Sequence, residues 1–297
     1  MQLENEDLNL FDVREQSMSK KKILIVTQEM EPYTSLSEAS EMVRKLAPYI
    51  QQKNMEIRVL MPRFGTINER RHRLHEVVRL SGMNIIVDDD DYPLIIKVAS
   101  LPEARIQVYF LDNEDFFKRK AVFEDEDGQA FDDNADRMIF FCKGVLETVK
   151  KFGWPPDVIH CHGWMTSLIP LYLKTAYKNE PLFERAQIVY SAYDGKDYGA
   201  EFDDDFAEKA SINNLSEEDL KAYQNTDTIG ATLDAGAIHH SDAIVQGAAL
   251  INDATSSILA ETDKPVLDYD AEECRPKIIE FYNSIIVEEE EEEEVNS

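Results

Sequence analysis

The strongest constraint on the fold is a strand, a helix and a second strand that follow one another between residues 23 and 61. Ile23–Val26 is rich in β-branched residues. Glu38–Ile50 carries apolar residues at helical spacing, and Glu56–Met61 is a second strand-like run that ends at Pro62. Because strand–helix–strand units join parallel strands, this segment predicts a parallel sheet.

Residues 72–111 depart from that pattern. Short β-rich runs follow one another there without helices between them, which predicts an antiparallel excursion; the runs are His75–Leu80, Met83–Val87, Tyr92–Ala99 and Ile106–Leu111. Later segments return to the alternation of helix and strand, with strands predicted at Asp157–His162 and Gln187–Ala192. The sequence therefore predicts an α/β fold, a Rossmann-like parallel sheet with helices on both faces and a small β excursion.

The two ends of the chain differ in composition from the middle. Residues 1–20 are mostly polar and have no apolar period, and Met18 is an alternative start. Seven consecutive glutamates occupy Glu288–Glu294, where like charges disfavour a helix. We expect a disordered leader over 1–20, one domain over 21–287 and a disordered acidic tail over 288–297.

The charge and the cysteines limit the functional classes. The net charge of -28 argues against nucleic acid as a partner, because phosphate binding needs a basic face. No apolar run reaches the length of a membrane helix, so we expect no membrane span. The three cysteines are widely spaced and form no CxxC pair, which fits a reducing cytoplasm and no zinc site.

Asp157–Trp164 is the segment most suggestive of a site. Ligands of open α/β sheets bind at the carboxyl ends of the strands, where this run places His160, His162 and Trp164. Strand alternation puts Cys161 on the opposite face from both histidines, which argues against a Cys/His nucleophile. His160 ends a buried strand and is predicted to be a hydrogen-bonded core residue.

Five short motifs occur in a fixed order between residues 21 and 247. They are Glu29-Met30-Glu31-Pro32, Met61-Pro62-Arg63-Phe64-Gly65, Asp133-Asn134-Ala135-Asp136-Arg137, Trp154-Pro155-Pro156-Asp157-Val158-Ile159-His160-Cys161-His162-Gly163-Trp164 and Leu233-Asp234-Ala235-Gly236. In this order they resemble the N-terminal half of bacterial glycogen synthases and plant starch synthases. These are glycosyltransferase family 5 enzymes of GT-B type, which use ADP-glucose. The resemblance implies one Rossmann-like lobe of a two-lobed fold.

The resemblance also shows where this sequence departs from the family. The family's Lys-x-Gly-Gly-Leu donor loop corresponds here to a degenerate loop with Ser35, Ser37 and Glu38 at the Lys, Gly and Gly positions. Glycines let backbone N–H groups approach a phosphate, and Glu38 adds a negative charge instead. Where the family has a histidine beside the transferred glucose, this sequence has Tyr193, followed by Asp194. Where the family has an aspartate after the residue corresponding to His162, this sequence has Gly163.

The remaining cleft residues allow two interpretations each. His162 is a remnant sugar contact or a structural cap, and Trp164 stacks on a sugar or packs in the core. With Tyr193 and Asp194 they form the candidate glucan-contacting set. The run Asp88–Asp91 is interpreted as a solvated turn. We expect no catalytic residue, no metal site and no cofactor.

Two functions follow from the resemblance. The first is a transferase-family protein of α-glucan metabolism that is inactive alone, because we expect the family's C-terminal lobe to be missing. The second is a non-catalytic pseudoenzyme that binds glucan or a partner. The expected partners are an α-glucan or a nucleotide sugar, a separate C-terminal lobe, or another enzyme of glycogen metabolism.

Overall fold

The computed structural model describes residues 20–194, 206, 209–210, 212, 215–223 and 229–286. Apart from Lys20, the predicted leader over 1–20 lies outside the described residues, and so does the whole predicted tail over 288–297.

One sheet organises the described part of the chain. Its strands are β1 (Lys22–Thr27), β2 (Glu56–Pro62), β3 (His75–Glu76), β4 (Met83–Val87), β5 (Asp90–Ser100), β6 (Gln107–Asp112), β7 (Val158–His162), β8 (Gln187–Ala192), β9 (Ala243–Gln246) and β10 (Val266–Leu267). Their order is β10-β9-β8-β7-β1-β2-β6-β5-β3, and β4 pairs with β5. All pairings from β10 to β6 are parallel.

Helices cover both faces of this sheet. They are α1 (Glu38–Gln52), α2 (Glu69–His72), α3 (Glu114–Phe117), α4 (Asn134–Phe152), α5 (Leu168–Lys174), α6 (Glu217–Leu220), α7 (Ile229–His240), α8 (Asp253–Glu261) and α9 (Cys274–Ile285). Helix α9 packs against α1, whereas α4, α5, α7 and α8 pack in succession against one another. The α/β prediction, Rossmann-like with helices on both faces, is confirmed.

The order in which the chain adds strands to the sheet reverses at β1. From β1 the chain proceeds through β2 toward β6 on one side, and from β7 through β8 to β10 on the other. Right-handed crossovers then place the connecting helices on opposite faces, and the loops after β1 and β7 part. Residues Ile23–Val26 are fully buried, as expected for a central strand covered on both faces.

The excursion predicted over residues 72–111 is only partly antiparallel. Strands β3 and β4 each pair antiparallel with β5. Of the turn predicted at Asp88–Asp91, Asp88 and Asp89 join β4 to β5, whereas Asp90 and Asp91 belong to β5. Strand β6 pairs antiparallel with β5 on one side and parallel with β2 on the other, so it joins the excursion to the parallel part of the sheet. Val108–Asp112 is buried along its length, because β6 is an interior strand of the sheet.

No helix within the described residues is long and apolar enough to cross a membrane.

Candidate functional site

A cavity of about 590 Å³ opens where the loops after β1 and β7 part, and we call it the switch-point cavity. Its aromatic lining residues are Phe123, Trp164, Tyr190 and Tyr193. Its carboxylates are Glu124, Asp125, Asp194 and Asp234. Uncharged polar groups come from Gln28, Ser37 and Thr66. Among the described residues that line the cavity, none is lysine or arginine. The described lining therefore offers ring faces and hydrogen-bond acceptors but no positive charge.

The degenerate donor loop is held by the buried side chain of Glu29, which follows β1. Glu29 Oε2 accepts hydrogen bonds from the backbone N–H groups of Leu36 and Ser37, the latter at 2.9 Å. Glu29 Oε1 accepts a bond from Ser37 Oγ at 2.6 Å and one from Gln28 Nε2 at 3.2 Å. These loop N–H groups point at an internal carboxylate and are not free for a phosphate.

The three predicted loop residues do not act together. Ser37 caps the N-terminus of α1, where its side chain accepts a bond from the N–H of Ala39, and it lines the switch-point cavity. Ser35 is exposed, and its hydroxyl lies 3.0 Å from that of Ser40. Glu38 is also exposed but borders a different cavity, of about 220 Å³, between α1 and α9.

His162 lies beneath the cavity and is not part of its lining. Its Nδ1 lies 2.8 Å from the hydroxyl of Tyr193, and its ring stacks on His160 at 3.9 Å between centroids. Burial lowers the pKa of His162 to about 3, so the ring is neutral at physiological pH. His162 Nε2 is buried and has no hydrogen-bond partner among the described residues.

His160 is tied to the surrounding core through both ring nitrogens. Nδ1 is 2.6 Å from the hydroxyl of Tyr282 on α9, and Nε2 is 2.7 Å from Ser191 Oγ on β8. Burial and the neighbouring His162 lower the pKa of His160 well below its usual value. These contacts agree with the interpretation of His160 as a hydrogen-bonded core residue.

Tyr193 fills the gap between the ends of β8 and β9 and the start of α1. Its ring packs with Ala39 and Ala248, and the side chain is only 7% exposed. A Cβ atom at Gly247 would lie 2.6 Å from this ring, so glycine is required there by close approach. The aromatic side chain thus occupies space at the position where the family has histidine.

Trp164 belongs to the cavity wall and to the core at once. Its ring lies 4.9 Å from that of Phe123, and the side chain is 8% exposed. Gly163 precedes it at φ +84°, where a Cβ atom would lie 2.5 Å from the side chain of Gln28. Gln28 therefore takes the space beside position 163, where the family has aspartate.

The wall that carries Phe123 is fixed by Arg137 on α4. Its guanidinium donates to the carbonyl oxygens of Phe116 at 2.9 Å and Val122 at 2.6 Å, and to Asn134 Oδ1 at 2.7 Å. Four phenylalanine rings surround it at 5.5–5.9 Å. Burial lowers the pKa of Arg137 to about 10, so it remains charged at neutral pH.

Asp234 belongs to the motif Leu233-Asp234-Ala235-Gly236, which by the resemblance reads Leu-Lys-Ala-Gly in the glycogen and starch synthases. It lies on α7 and accepts hydrogen bonds from the hydroxyls of Tyr190 and Thr255, each at 2.8 Å. Burial raises the pKa of Asp234 to about 6. A cation is therefore replaced by a buried carboxyl group at the edge of the cavity.

The structure brings together four of the predicted site residues, Ser37, Trp164, Tyr193 and Asp194, in one cavity. It does not bring Ser35, Glu38 or His162 into that lining. Our sequence interpretation missed the roles of Gln28, Glu29 and Asp234. Gln28 and Glu29 directly follow a predicted strand, and Asp234 reverses the charge of a matched motif, so both signals were present in the sequence.

The cysteines and the candidate metal ligands of the described residues do not form a reactive site. Cys142, Cys161 and Cys274 are all buried and unpaired. Burial raises the pKa of the Cys161 thiol well above its usual value. No group of three or more His, Cys, Asp or Glu side chains in the described part of the chain could hold a metal ion.

Three curated relatives are similar to this chain over 173 residues each. The glycogen synthase of Chlorobium limicola is 39% identical over 173 residues, which are 58% of this chain and 35% of the relative. That of Chlorobium luteolum is 40% identical over 58% of this chain and 35% of the relative. That of Chlorobaculum tepidum is 38% identical over 58% and 36%, respectively. The chain thus spans 35–36% of the length of these relatives.

A solved structure shares the fold. It is the catalytic domain of starch synthase IV from Arabidopsis thaliana bound to ADP and acarbose, with a TM-score of 0.60. The match covers 76% of this chain and 45% of that chain at 19% identity, so it supports the fold alone. The sequence model described as the starch synthase catalytic domain matches residues 22–246. The chain belongs to the starch synthase catalytic domain family, whose members include glycogen synthases.

Proposed function

We propose that this chain binds α-glucan in glycogen metabolism through the switch-point cavity and does not by itself transfer glucose from a nucleotide sugar. The observation that carries the proposal is the cavity lining, which combines four aromatic rings and four carboxylates without a lysine or arginine among its described residues.

This lining suits a neutral sugar better than a nucleotide sugar. Carboxylates accept strong hydrogen bonds from sugar hydroxyls, and aromatic rings offer apolar faces for stacking. A diphosphate needs cations or free N–H groups, yet Glu29 already accepts bonds from the N–H groups of Leu36 and Ser37. The four carboxylates would also repel a diphosphate in a cavity partly shielded from water.

The two tryptophans provide a matched test. Trp164 and Trp154 are both 8% exposed, but only Trp164 lines the switch-point cavity. Trp154 lies beside the start of β2, where its Nε1 donates to Glu56 at 3.0 Å. We expect Trp164→Ala to weaken glycogen binding at least about tenfold. Trp154→Ala should retain it, although it removes an equally buried ring.

Binding should be measured by co-sedimentation with glycogen and by calorimetry with malto-oligosaccharides. A transfer assay with ADP-glucose and UDP-glucose on glycogen primer tests the second half of the proposal. Absence of glycogen binding by the parent chain would remove the glucan-binding function. Turnover above a no-enzyme control after rigorous purification would show that the chain is a transferase.

A second candidate function is transfer in complex with a separate polypeptide that carries the family's C-terminal lobe. Leu36 and Leu250 favour it, because they are 45% and 79% exposed in the loops after β1 and β9, at the carboxyl edge of the sheet. Adding a C-terminal lobe from a related glycogen synthase tests this candidate. Transfer that appears only in the mixture would support it.

We further propose a cytoplasmic location for this function, in keeping with the three unpaired cysteines. Fractionation of cells that express a tagged chain tests this location.

A further inference from the structure

The ring of Tyr193 stands between two cavities. One is the switch-point cavity, which Tyr193 and Ser37 line. The other, of about 220 Å³, lies between α1 and α9 and is lined by Glu38, Gly247 and Cys274 among others; we call it the α1–α9 cavity. Ser37 and Glu38 are consecutive, so the start of α1 borders both spaces. Tyr193 meets this border through Ala39 and meets the α1–α9 cavity through Gly247.

The Tyr193 side chain occupies space between the two cavities. The Tyr193 ring lies so near Gly247 that an added Cβ atom would be 2.6 Å away. At its far end, the hydroxyl is anchored 2.8 Å from His162 Nδ1. The ring thus lies against Gly247 at its edge and against His162 at its tip.

We propose that Tyr193 is the residue that limits the length of the glucan chain held by the switch-point cavity, by closing it toward the α1–α9 cavity. This inference rests on the proposed glucan binding and adds a determinant of specificity to it. On this proposal, removal of the ring would join the two cavities along the start of α1.

The α1–α9 cavity has the chemistry to receive a further sugar residue. Glu38 and Glu41 supply acceptors for hydroxyl groups, and Lys45 and Arg275 supply donors. Tyr269 adds an aromatic ring. A saccharide that entered from the switch-point cavity would thus find polar partners on both sides once the ring is gone.

The test is calorimetry with maltose through maltoheptaose on the full-length chain and three variants. Tyr193→Ala removes the ring, and Tyr193→His leaves a shorter one. Tyr193→Phe keeps the ring and removes only the hydroxyl that contacts His162. Thermal unfolding followed by circular dichroism shows that each variant is folded, and Tyr193→His carries the test if Tyr193→Ala is not.

In the parent chain, we expect the Kd to fall with oligosaccharide length up to a limit and then to stay constant. Tyr193→Ala should shift that limit to longer chains and bind the longest about tenfold more tightly than it binds the parent's limiting length. Tyr193→His should shift it in the same direction. Tyr193→Phe should keep the parent's limit, whatever its absolute affinity.

The failures of the two proposals are distinguishable. A parent chain that binds no malto-oligosaccharide contradicts the proposed function. A parent chain that binds them, with the same limit in Tyr193→Ala and Tyr193→His, leaves glucan binding intact and overturns the role of Tyr193. A shifted limit in Tyr193→Phe would also overturn it, because the hydroxyl rather than the ring would then set the length.

Discussion

The carboxylate of Glu29 binds Ser37 through two hydrogen bonds, which it accepts from the Ser37 backbone N–H at 2.9 Å and from the Ser37 hydroxyl at 2.6 Å. Ser37 is the N-cap of α1, so an acid from the loop after β1 lies at the N-terminus of that helix. The positive end of a helix dipole stabilises a negative charge there. The loop that a nucleotide diphosphate would need therefore already holds an anion from its own chain.

We predict that Glu29→Gln destabilises the protein by about 1.5–3 kcal/mol, the range for hydrogen bonds to a charged group. The amide NH₂ would face N–H donors that the carboxylate oxygens now accept. Urea unfolding at pH 7 measures the difference. Glu31→Gln is the control, because Glu31 is exposed and its side chain accepts a 3.4 Å bond from Ser35 Oγ. Equal losses in both variants would contradict the role given to Glu29.

Restoring the family's loop should not create a donor site. We predict that Ser35→Lys, Ser37→Gly and Glu38→Gly together leave ADP-glucose binding at millimolar affinity at best, about -4 kcal/mol. Glu29 still accepts from the loop, and the carboxylates of Asp194 and Asp234 still line the cavity. Calorimetry at low ionic strength gives the variant its best chance, since salt screens charges.

The parent chain is the control for that triple variant. Micromolar binding by the triple variant would mean that the loop alone decides donor affinity. Micromolar binding of ADP-glucose by the parent would mean that the unmodified chain already carries a donor site.

The strand and helix pattern could be predicted because each element carries its own period. The β1–α1–β2 unit and strands β7 and β8 were placed within two residues of their observed bounds. The neighbours of β6 could not be predicted from a β-rich run alone, since pairing is a tertiary choice. Its continuous burial over Val108–Asp112 is typical of an interior strand, and the apolar Val108–Leu111 run indicated it.

The candidate site was harder to predict, because sequence neighbours do not share a direction on a helix. Ser37 and Glu38 are consecutive, yet one lines the switch-point cavity and the other the α1–α9 cavity. Ser37 is the N-cap with an extended backbone and Glu38 is the first helical residue, so their side chains diverge and a motif match alone cannot place both at one phosphate. The closure of the switch-point cavity by Tyr193 involves the ends of three elements, β8, β9 and α1. It could therefore not be predicted from a local sequence pattern.

The cavity wall depends on Arg137. We predict that Arg137→Lys destabilises the protein by about 2–4 kcal/mol, because a single ammonium group cannot reproduce the planar guanidinium geometry that serves Phe116, Val122 and Asn134. Limited proteolysis should then cut the segment over residues 118–123 faster than in the parent. Arg105→Lys is the control, because Arg105 is exposed. Unchanged stability and proteolysis in Arg137→Lys would show that the wall holds without the guanidinium.

Asp234 should make stability depend on pH in a direction opposite to that of most carboxylates. Its pKa is raised to about 6 by burial, so the folded protein binds this proton more tightly than the unfolded chain. The ionised form then costs about 3 kcal/mol above pH 6, an upper estimate that follows from the raised pKa. This cost is relieved as the pH falls from 6 toward 4, where the native carboxyl is protonated.

Asp234→Asn imitates the protonated state at every pH. Its amide can accept from one hydroxyl and donate to the other, because the hydroxyls of Tyr190 and Thr255 can rotate. We predict that this variant is more stable than the parent by about 1–3 kcal/mol at pH 8 and equal to it near pH 4. Urea unfolding across that range measures the difference. Asp263→Asn, at an exposed position, should show no such trend. A stability gain for Asp234→Asn that did not shrink as the pH fell would rule out titration of Asp234 as its source.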